Sequence, residues 1–161
     1  MSILTSTMNT VSNTQHDIKH RDTPNDKIYT PKGLVKLHLQ EIKDLYDGKV
    51  LGKTILDPCR GDGAYYNMFS KYFKDEKDYK YKFDYCEIEE GKDFFEYEIQ
   101  EYAFDGIIVG NLPFSLTDKF LEKSVSLKPR VISYLMPIYA LTPARMEFME
   151  KNNYQLARIK S

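Results

Sequence analysis

The chain contains no tryptophan, only two cysteines, and no apolar run long enough to cross a bilayer. Cys59 and Cys86 are too few for a disulfide framework. A reducing compartment is therefore expected, the cytoplasm or a nucleoid or nuclear setting. Without about 20 consecutive apolar residues no membrane-spanning helix is expected, and no membrane partner. The opening stretch "MSILTSTMNT" lacks the charged and apolar regions of a secretory signal. His16, His20 and His38 show no metal-ligand spacing, so no metal site is expected. The absence of tryptophan points to no mechanism.

An excess of positive charge is missing too. The net charge is −1 over 161 residues, so charge lends only weak support to a nucleic-acid partner. The distribution is uneven. Residues 1–53 carry 8 Lys+Arg against 6 Asp+Glu, 54–117 carry 7 against 14, and 118–161 carry 8 against 4. A solvated acidic surface is the plain reading of the middle part.

What is present reads as one domain. Residues 1–27 are polar and aperiodic, as in a flexible leader. Residues 28–161 alternate strand and helix signals. Thr30-Pro31 opens a helix, with Thr as N-cap and Pro at the first helical position. Leu34, Leu37, Ile42 and Leu45 follow at helical spacing, and Asp47-Gly48 marks its end. "KTILD" is a strand ending at Asp57, and "AYYNMFSKYF" has helical spacing. "FDYCEI" is a second strand ending near Glu87, and "GKDFFEY" a loop or short turn. "FDGIIVG" is a third strand running into Asn111. Ser115–Asp118 can cap the next helix. "RVISYLMP" is a fourth strand, Thr142-Pro143 repeats the helix-start signal, and "YQLARI" can begin a last strand. Alternation of this kind predicts an α/β fold with a mainly parallel sheet flanked by helices.

In such sheets a ligand sits beyond the carboxyl ends of the strands. Three of those ends carry polar residues: Asp57 with the loop "PCRGDG", Glu87, and Asn111. Gly61 and Gly63 allow a tight turn and close backbone approach. Here the missing residues are informative. A dinucleotide fingerprint needs a third glycine where Tyr66 stands, and a phosphate-binding loop needs Gly-Lys-Ser/Thr, which is absent. A ribose-containing ligand without that phosphate requirement remains, with Glu87 placed to accept hydrogen bonds from ribose hydroxyls. An ordinary Gly-x-Gly turn is the competing reading. Pro58-Cys59 raises the idea of a nucleophilic thiol, but no activating base is evident, and Cys59 is read as a small loop residue.

These residues together resemble a known family. "ILDPCRGDGAYY" is similar to the cofactor motif of class I S-adenosylmethionine-dependent methyltransferases. "GNLPFS" resembles the (D/N/S)-P-P-(Y/F/W) motif of amino-methyltransferases acting on adenine-N6 or cytosine-N4. "YTPKGLVKLHL" is similar to the Thr-Pro segment near the methionine end of the cofactor in DNA adenine methyltransferases. "CEIEEGKDFF" is similar to an acidic stretch of small phage and viral members. The resemblance runs from about Thr30 to Pro137. It departs at Leu112, where the family has its first proline; Asn-Leu-Pro-Phe/Tyr is the form of ribosomal-RNA adenine dimethyltransferases.

The resemblance implies a Rossmann-like methyltransferase fold and S-adenosylmethionine as cofactor. It assigns cofactor contacts to Thr30, Pro31, Asp57, Pro58, Gly61, Gly63, Glu87, Asp93, Phe94 and Asn111. It assigns the transfer step to Asn111, Leu112, Pro113 and Phe114. The Asn111 amide oxygen and the Leu112 carbonyl would accept from the target amine, Pro113 would stiffen the turn, and Phe114 would stack on an extruded base. Asp93 would accept from the cofactor's adenine amine while Phe94 packs on its ring. Plainer alternatives stay open: Asn111 a turn residue, Phe114 a core residue, Asp93 a cap and Thr30 an N-cap. The implied substrate is DNA, with RNA as the alternative and a small molecule or a protein glutamine as a third option. With no room for a recognition domain and a short C-terminal end, a partner subunit is expected to supply target choice, or the chain is a degenerate cofactor-binding scaffold.

Overall fold

Alternating residues on the central strands bury against opposite helical layers, which is why these strands read as almost unbroken apolar runs. The computed structural model describes residues 2–6, 29–46, 51–75, 77–99 and 103–160. Within them the strands are β1 (Ser2–Ser6), β2 (Thr54–Asp57), β3 (Lys82–Tyr85), β4 (Gly106–Asn111), β5 (Val131–Leu135) and β6 (Gln155–Lys160). The helices are α1 (Lys32–Leu45), the single turn α2 (Phe69–Tyr72), α3 (Thr117–Leu127) and α4 (Pro143–Lys151). The sheet order is β3-β2-β4-β5-β1-β6, and every pairing in it is parallel. The expected α/β class with a mainly parallel sheet flanked by helices is what the chain adopts.

On one face Ile55, Ile107, Val109, Val131 and Leu135 pack with Val35, Leu39 and Ile42 of α1 and Phe69 of α2. On the other, Leu56, Ile108, Ile132 and Tyr134 pack with Phe120, Leu121 and Leu127 of α3 and Met149 of α4. Each fully buried aliphatic side chain contributes about 1.5–3 kcal/mol of transfer free energy, so each layer is held by its own alternate set of residues from the same strands.

The structure departs from the sequence reading in four places. Within the expected leader, Ser2–Ser6 pair as β1 between β5 and β6; residues 7–27 lie outside the described residues. Only Ile3 and Leu4 of its five residues are apolar, in an otherwise polar stretch, so the sequence carries no sign of β1. The buried stripe of α1 is Val35, His38, Leu39 and Ile42, whereas Leu37 is exposed. A polar His38 in that stripe disguises its i, i+3, i+4, i+7 spacing. The expected helix over "AYYNMFSKYF" is only a 3-10 turn at Tyr66–Met68 followed by α2. Finally, the N-cap of α1 is Pro31, with no side-chain cap bond; the Thr30 hydroxyl is engaged elsewhere. The Asp47-Gly48 stop falls outside the described residues. Thr142 does cap α4, accepting from the Arg145 N–H with Pro143 at the helix start.

Because all strands run the same way, Asp57, Glu87, Asn111 and the chain beyond Leu135 reach one edge of the sheet. That edge holds the candidate site.

Candidate functional site

The turn after β2 is closed by its own backbone. The Gly63 N–H donates to the Arg60 carbonyl at 2.9 Å, and the Arg60 N–H to the Cys86 carbonyl at 2.9 Å. Gly61 and Gly63 hold φ of +56° and +88°, the left-handed region in which a side chain is strained. At Gly63 there is also no room: a Cβ would lie 2.6 Å from Asn67 Nδ2. The exit of β3 fastens this turn. Glu87 Oε2 accepts from the Gly61 N–H at 2.8 Å, and Oε1 from the Glu89 N–H at 3.2 Å. Glu87 and Lys92 form a two-residue bridge, each donating its N–H to the other's carbonyl at 2.9 and 3.0 Å.

A cation clasp stands at the same rim. The Arg60 guanidinium lies over the Tyr85 ring at 4.3 Å and the Lys92 ammonium at 3.9 Å. Arg60 also pairs with Glu90, and the Tyr85 hydroxyl donates to Glu90 at 2.8 Å. The Tyr85 hydroxyl first, and Arg60 after it, hold the exposed Glu90 carboxyl below its usual range.

Between these elements opens a cavity of about 490 Å³, within the roughly 300–1,000 Å³ typical of small-molecule sites. Of the residues expected at a site, Thr30, Pro58, Gly61, Glu87, Asp93, Phe94, Asn111 and Pro113 line it. The structure brings these together from five separate stretches of sequence. Tyr29, Arg60, Tyr65 and Lys92 line it as well, and none of them was expected at a site. Tyr29 was detectable only as the neighbour of Thr30-Pro31, and Arg60 only as the lone cation of the glycine turn.

Five expected residues sit elsewhere. Leu112 is fully buried, so only its backbone can face a ligand. Phe114 is 37 % exposed and stands in sequence between Pro113 and Ser115, which line the cavity. Pro31 belongs to the start of α1 and Gly63 to the back of the turn. Asp57 is 1 % exposed and lies behind the turn, with Oδ1 accepting from the Cys59 N–H at 3.1 Å. Its Oδ2 has no protein partner. Burial raises its pKa to about 7, against the opposing Cys59 N–H. Gly110 on β4 makes room for this carboxyl, since a Cβ there would lie 3.0 Å from Oδ1.

Asn111 is the most telling residue. Its amide nitrogen donates to the Thr30 hydroxyl at 3.0 Å, which fixes the orientation of the amide. Its amide oxygen is buried and has no protein partner. An unpaired buried acceptor costs about 1–3 kcal/mol, and this one belongs to a residue lining the cavity. The oxygen itself is shielded from solvent, and an N–H or O–H donor brought to it would satisfy it.

Asp93 accepts from the Phe95 N–H at 2.9 Å and so caps the turn Phe94–Glu96. Phe94 stacks on Phe120 at 5.2 Å and 20° while forming part of the cavity wall. Cys59 is poorly suited to attack: burial, then the charges of Asp57 and Glu87, push its thiol up to about 12, so it stays protonated near neutrality. Beneath the cavity, His38 lies between Tyr65 Oη at 2.7 Å and Ser133 Oγ at 2.6 Å. Burial lowers its pKa to about 3, so it is a neutral imidazole with one nitrogen donating and the other accepting. Among the described residues no group of His, Cys, Asp and Glu could hold a metal ion, and no helix is long and apolar enough to cross a membrane.

Compared with family models, curated proteins and solved structures, the chain matches none.

Proposed function

We propose that this chain is an S-adenosylmethionine-dependent methyltransferase of Rossmann-like fold, acting on an exocyclic amino group of a nucleic-acid base, adenine-N6 of DNA first among them. The observation that carries this reading is the unpaired amide oxygen of Asn111, held in place through Thr30 beside the cavity. A base amino group is a weak nucleophile because its lone pair is delocalised into the ring. An acceptor aimed at its N–H draws the nitrogen towards tetrahedral geometry and stabilises the positive charge it acquires on attack.

The residues present fit the cofactor. Each Glu87 oxygen accepts one backbone N–H and keeps further lone pairs, which suit a pair of ribose hydroxyls. Phe94 offers an apolar wall for a purine ring, and Pro58 and Gly61 admit close approach. When bound, S-adenosylmethionine supplies an electrophilic methyl group on a sulfonium. The protein then holds the target amine at Asn111, orders it with the Leu112 carbonyl and the rigid Pro113, and leaves no covalent adduct, in keeping with the protonated Cys59. Asp93, engaged as a cap through Oδ1, retains its second oxygen for the purine amine. The work is mainly positioning and electrostatics.

RNA is the second reading, and Leu112 is its specific motive. The test is methyl transfer from labelled cofactor to separate pools of DNA, RNA and protein. Label recovered in DNA as N6-methyladenine is expected. Label in RNA alone selects the second reading. Cofactor binding with no label in any pool, with or without added partners, contradicts both and favours a scaffold.

A further inference from the structure

The chain beyond β5 repeats the turn that follows β4. After Asn111 come Leu112, Pro113 and a single 3-10 turn, Phe114–Leu116, before α3. After Leu135 come Met136, Pro137 and a single 3-10 turn, Ile138–Ala140, before Thr142 opens α4. The correspondence is one of register, because Asn111 pairs with Leu135 on adjacent parallel strands. Leu112 and Met136 are both buried, at 0 and 6 %. Pro113 and Pro137 share extended backbone, at φ −65°, ψ 117° and φ −61°, ψ 145°. Neighbouring strands lie roughly 4.8 Å apart, so the two turns stand side by side at the edge that carries Asn111.

Both turns present large apolar side chains to solvent. Phe114 is 37 % exposed, Ile138 48 % and Tyr139 78 %. Among the described residues, the exposed large hydrophobics are Tyr29, Leu37, Ile88, Phe95, Phe114, Ile138 and Tyr139. All but Leu37 lie on the loops at the carboxyl edge. An apolar rim confined to one edge and continuous with a cavity marks a binding surface.

The second turn is held in place. Arg145 Nη1 donates to the Ala140 carbonyl at 2.6 Å and Nε to Asp118 Oδ1 at 2.6 Å. Asp118 lies in the first turn of α3, directly after the Phe114 turn. One guanidinium therefore ties the two turns to each other. A fixed rim can bind without first losing loop entropy.

We infer that Tyr139, on the turn after β5, is a substrate-binding residue that stacks on a base of the DNA strand presented to Asn111. This rests on the amino-methyltransferase reading above. Nucleic acid is the occupant favoured because planar bases suit exposed aromatics, Tyr139 being the most exposed of them, and because Asn111 is the residue proposed above to receive a base amine.

The test compares wild type, Tyr139→Ala and Tyr139→Phe. The probes are a short single-stranded oligodeoxynucleotide carrying one adenine and, separately, S-adenosylhomocysteine. For Tyr139→Ala, oligonucleotide affinity should fall, or KM rise, about five- to hundredfold, as for a lost base–aromatic stack. Its kcat, S-adenosylhomocysteine affinity and melting temperature should stay near wild type, and Tyr139→Phe should restore affinity. Unchanged oligonucleotide affinity in Tyr139→Ala, with wild-type transfer intact, overturns this inference alone. A wild type that binds S-adenosylhomocysteine but no oligonucleotide overturns it together with the nucleic-acid reading. Sedimentation adds one further outcome: if Tyr139→Ala converts a dimer to a monomer without altering oligonucleotide binding, the rim is a self-association surface and the inference fails.

Discussion

His38 and Asn111 are both polar groups in the interior, and they are treated in opposite ways. His38 has a partner on each ring nitrogen, Tyr65 and Ser133. Asn111 has a partner only on its nitrogen, and its oxygen is left unpaired. Asp57 is a third case: buried behind the glycine turn, it has one oxygen paired and one unpaired, and its raised pKa of about 7 lets a proton occupy the second. Buried polar groups are nearly always satisfied. A fully paired group serves the fold, a group that can protonate sheds its charge, and the oxygen of an amide in the cavity wall can do neither. Only the last calls for a ligand.

The sharpest way to separate His38 from Asp57 is by pH. Asp57 has its folded pKa raised from 3.8 to about 7, so its contribution is present below about pH 4 and is lost as pH rises through 7. His38 has its folded pKa lowered from 6.5 to about 3, so its contribution is present above 6.5 and is lost as pH falls towards 3. The two oppose each other between about pH 4 and 6.5, each on the order of 4 kcal/mol over its full window. Wild-type stability should therefore change little there on their account. Asp57→Asn should unmask the His38 slope, with urea midpoints rising from pH 4 to 6.5. A variant profile parallel to wild type would remove Asp57 from the set of buried titrating groups.

Glu87 sharpens the contrast between holding the turn and holding a ligand. Its carboxylate does the first visibly, through Gly61 and Glu89, and the second by proposal. Glu87→Ala should lower cofactor affinity about tenfold or more in calorimetry, a loss of roughly 1.5–3 kcal/mol for hydrogen bonds to a charged group. Glu87→Gln keeps an acceptor and should lose less. Equal losses for both would mean the residue matters only for the shape of the turn.

Phe114 gives the smallest expected effect. Its side chain is exposed, so truncation should leave the melting temperature near wild type. Substrate binding should weaken by roughly 1–3 kcal/mol if the ring stacks on a base. A large drop in melting temperature would assign it to the core instead.

Much of this was legible in the sequence, for identifiable reasons. Central strands buried on both faces announce themselves as apolar runs, so β2, β4 and β5 could be read directly, and with them the polar ends of β2 and β4. Once the strands run parallel, Asp57, Glu87 and Asn111 must share an edge. What could not be read was pairing across the chain. The bond from Asn111 to Thr30 spans 81 residues, and His38 reaches Ser133 across 95. Thr30 therefore looked like a helix cap and His38 like nothing at all. β1 was hidden because only Ile3 and Leu4 of its residues are apolar, inside a polar stretch. Asp57 was read as a cavity residue because the sequence does not tell which side of a glycine turn an acid occupies.

The central claim is that the Asn111 oxygen acts on the substrate amine during transfer. Asn111→Ala, measured alongside wild type for methyl transfer, cofactor affinity and melting temperature, tests it most directly. The account expects transfer to fall about 10²–10³-fold, as for a lost transition-state acceptor, with cofactor affinity and melting temperature close to wild type. Parallel loss of stability and cofactor affinity, or transfer at the wild-type rate, would contradict it.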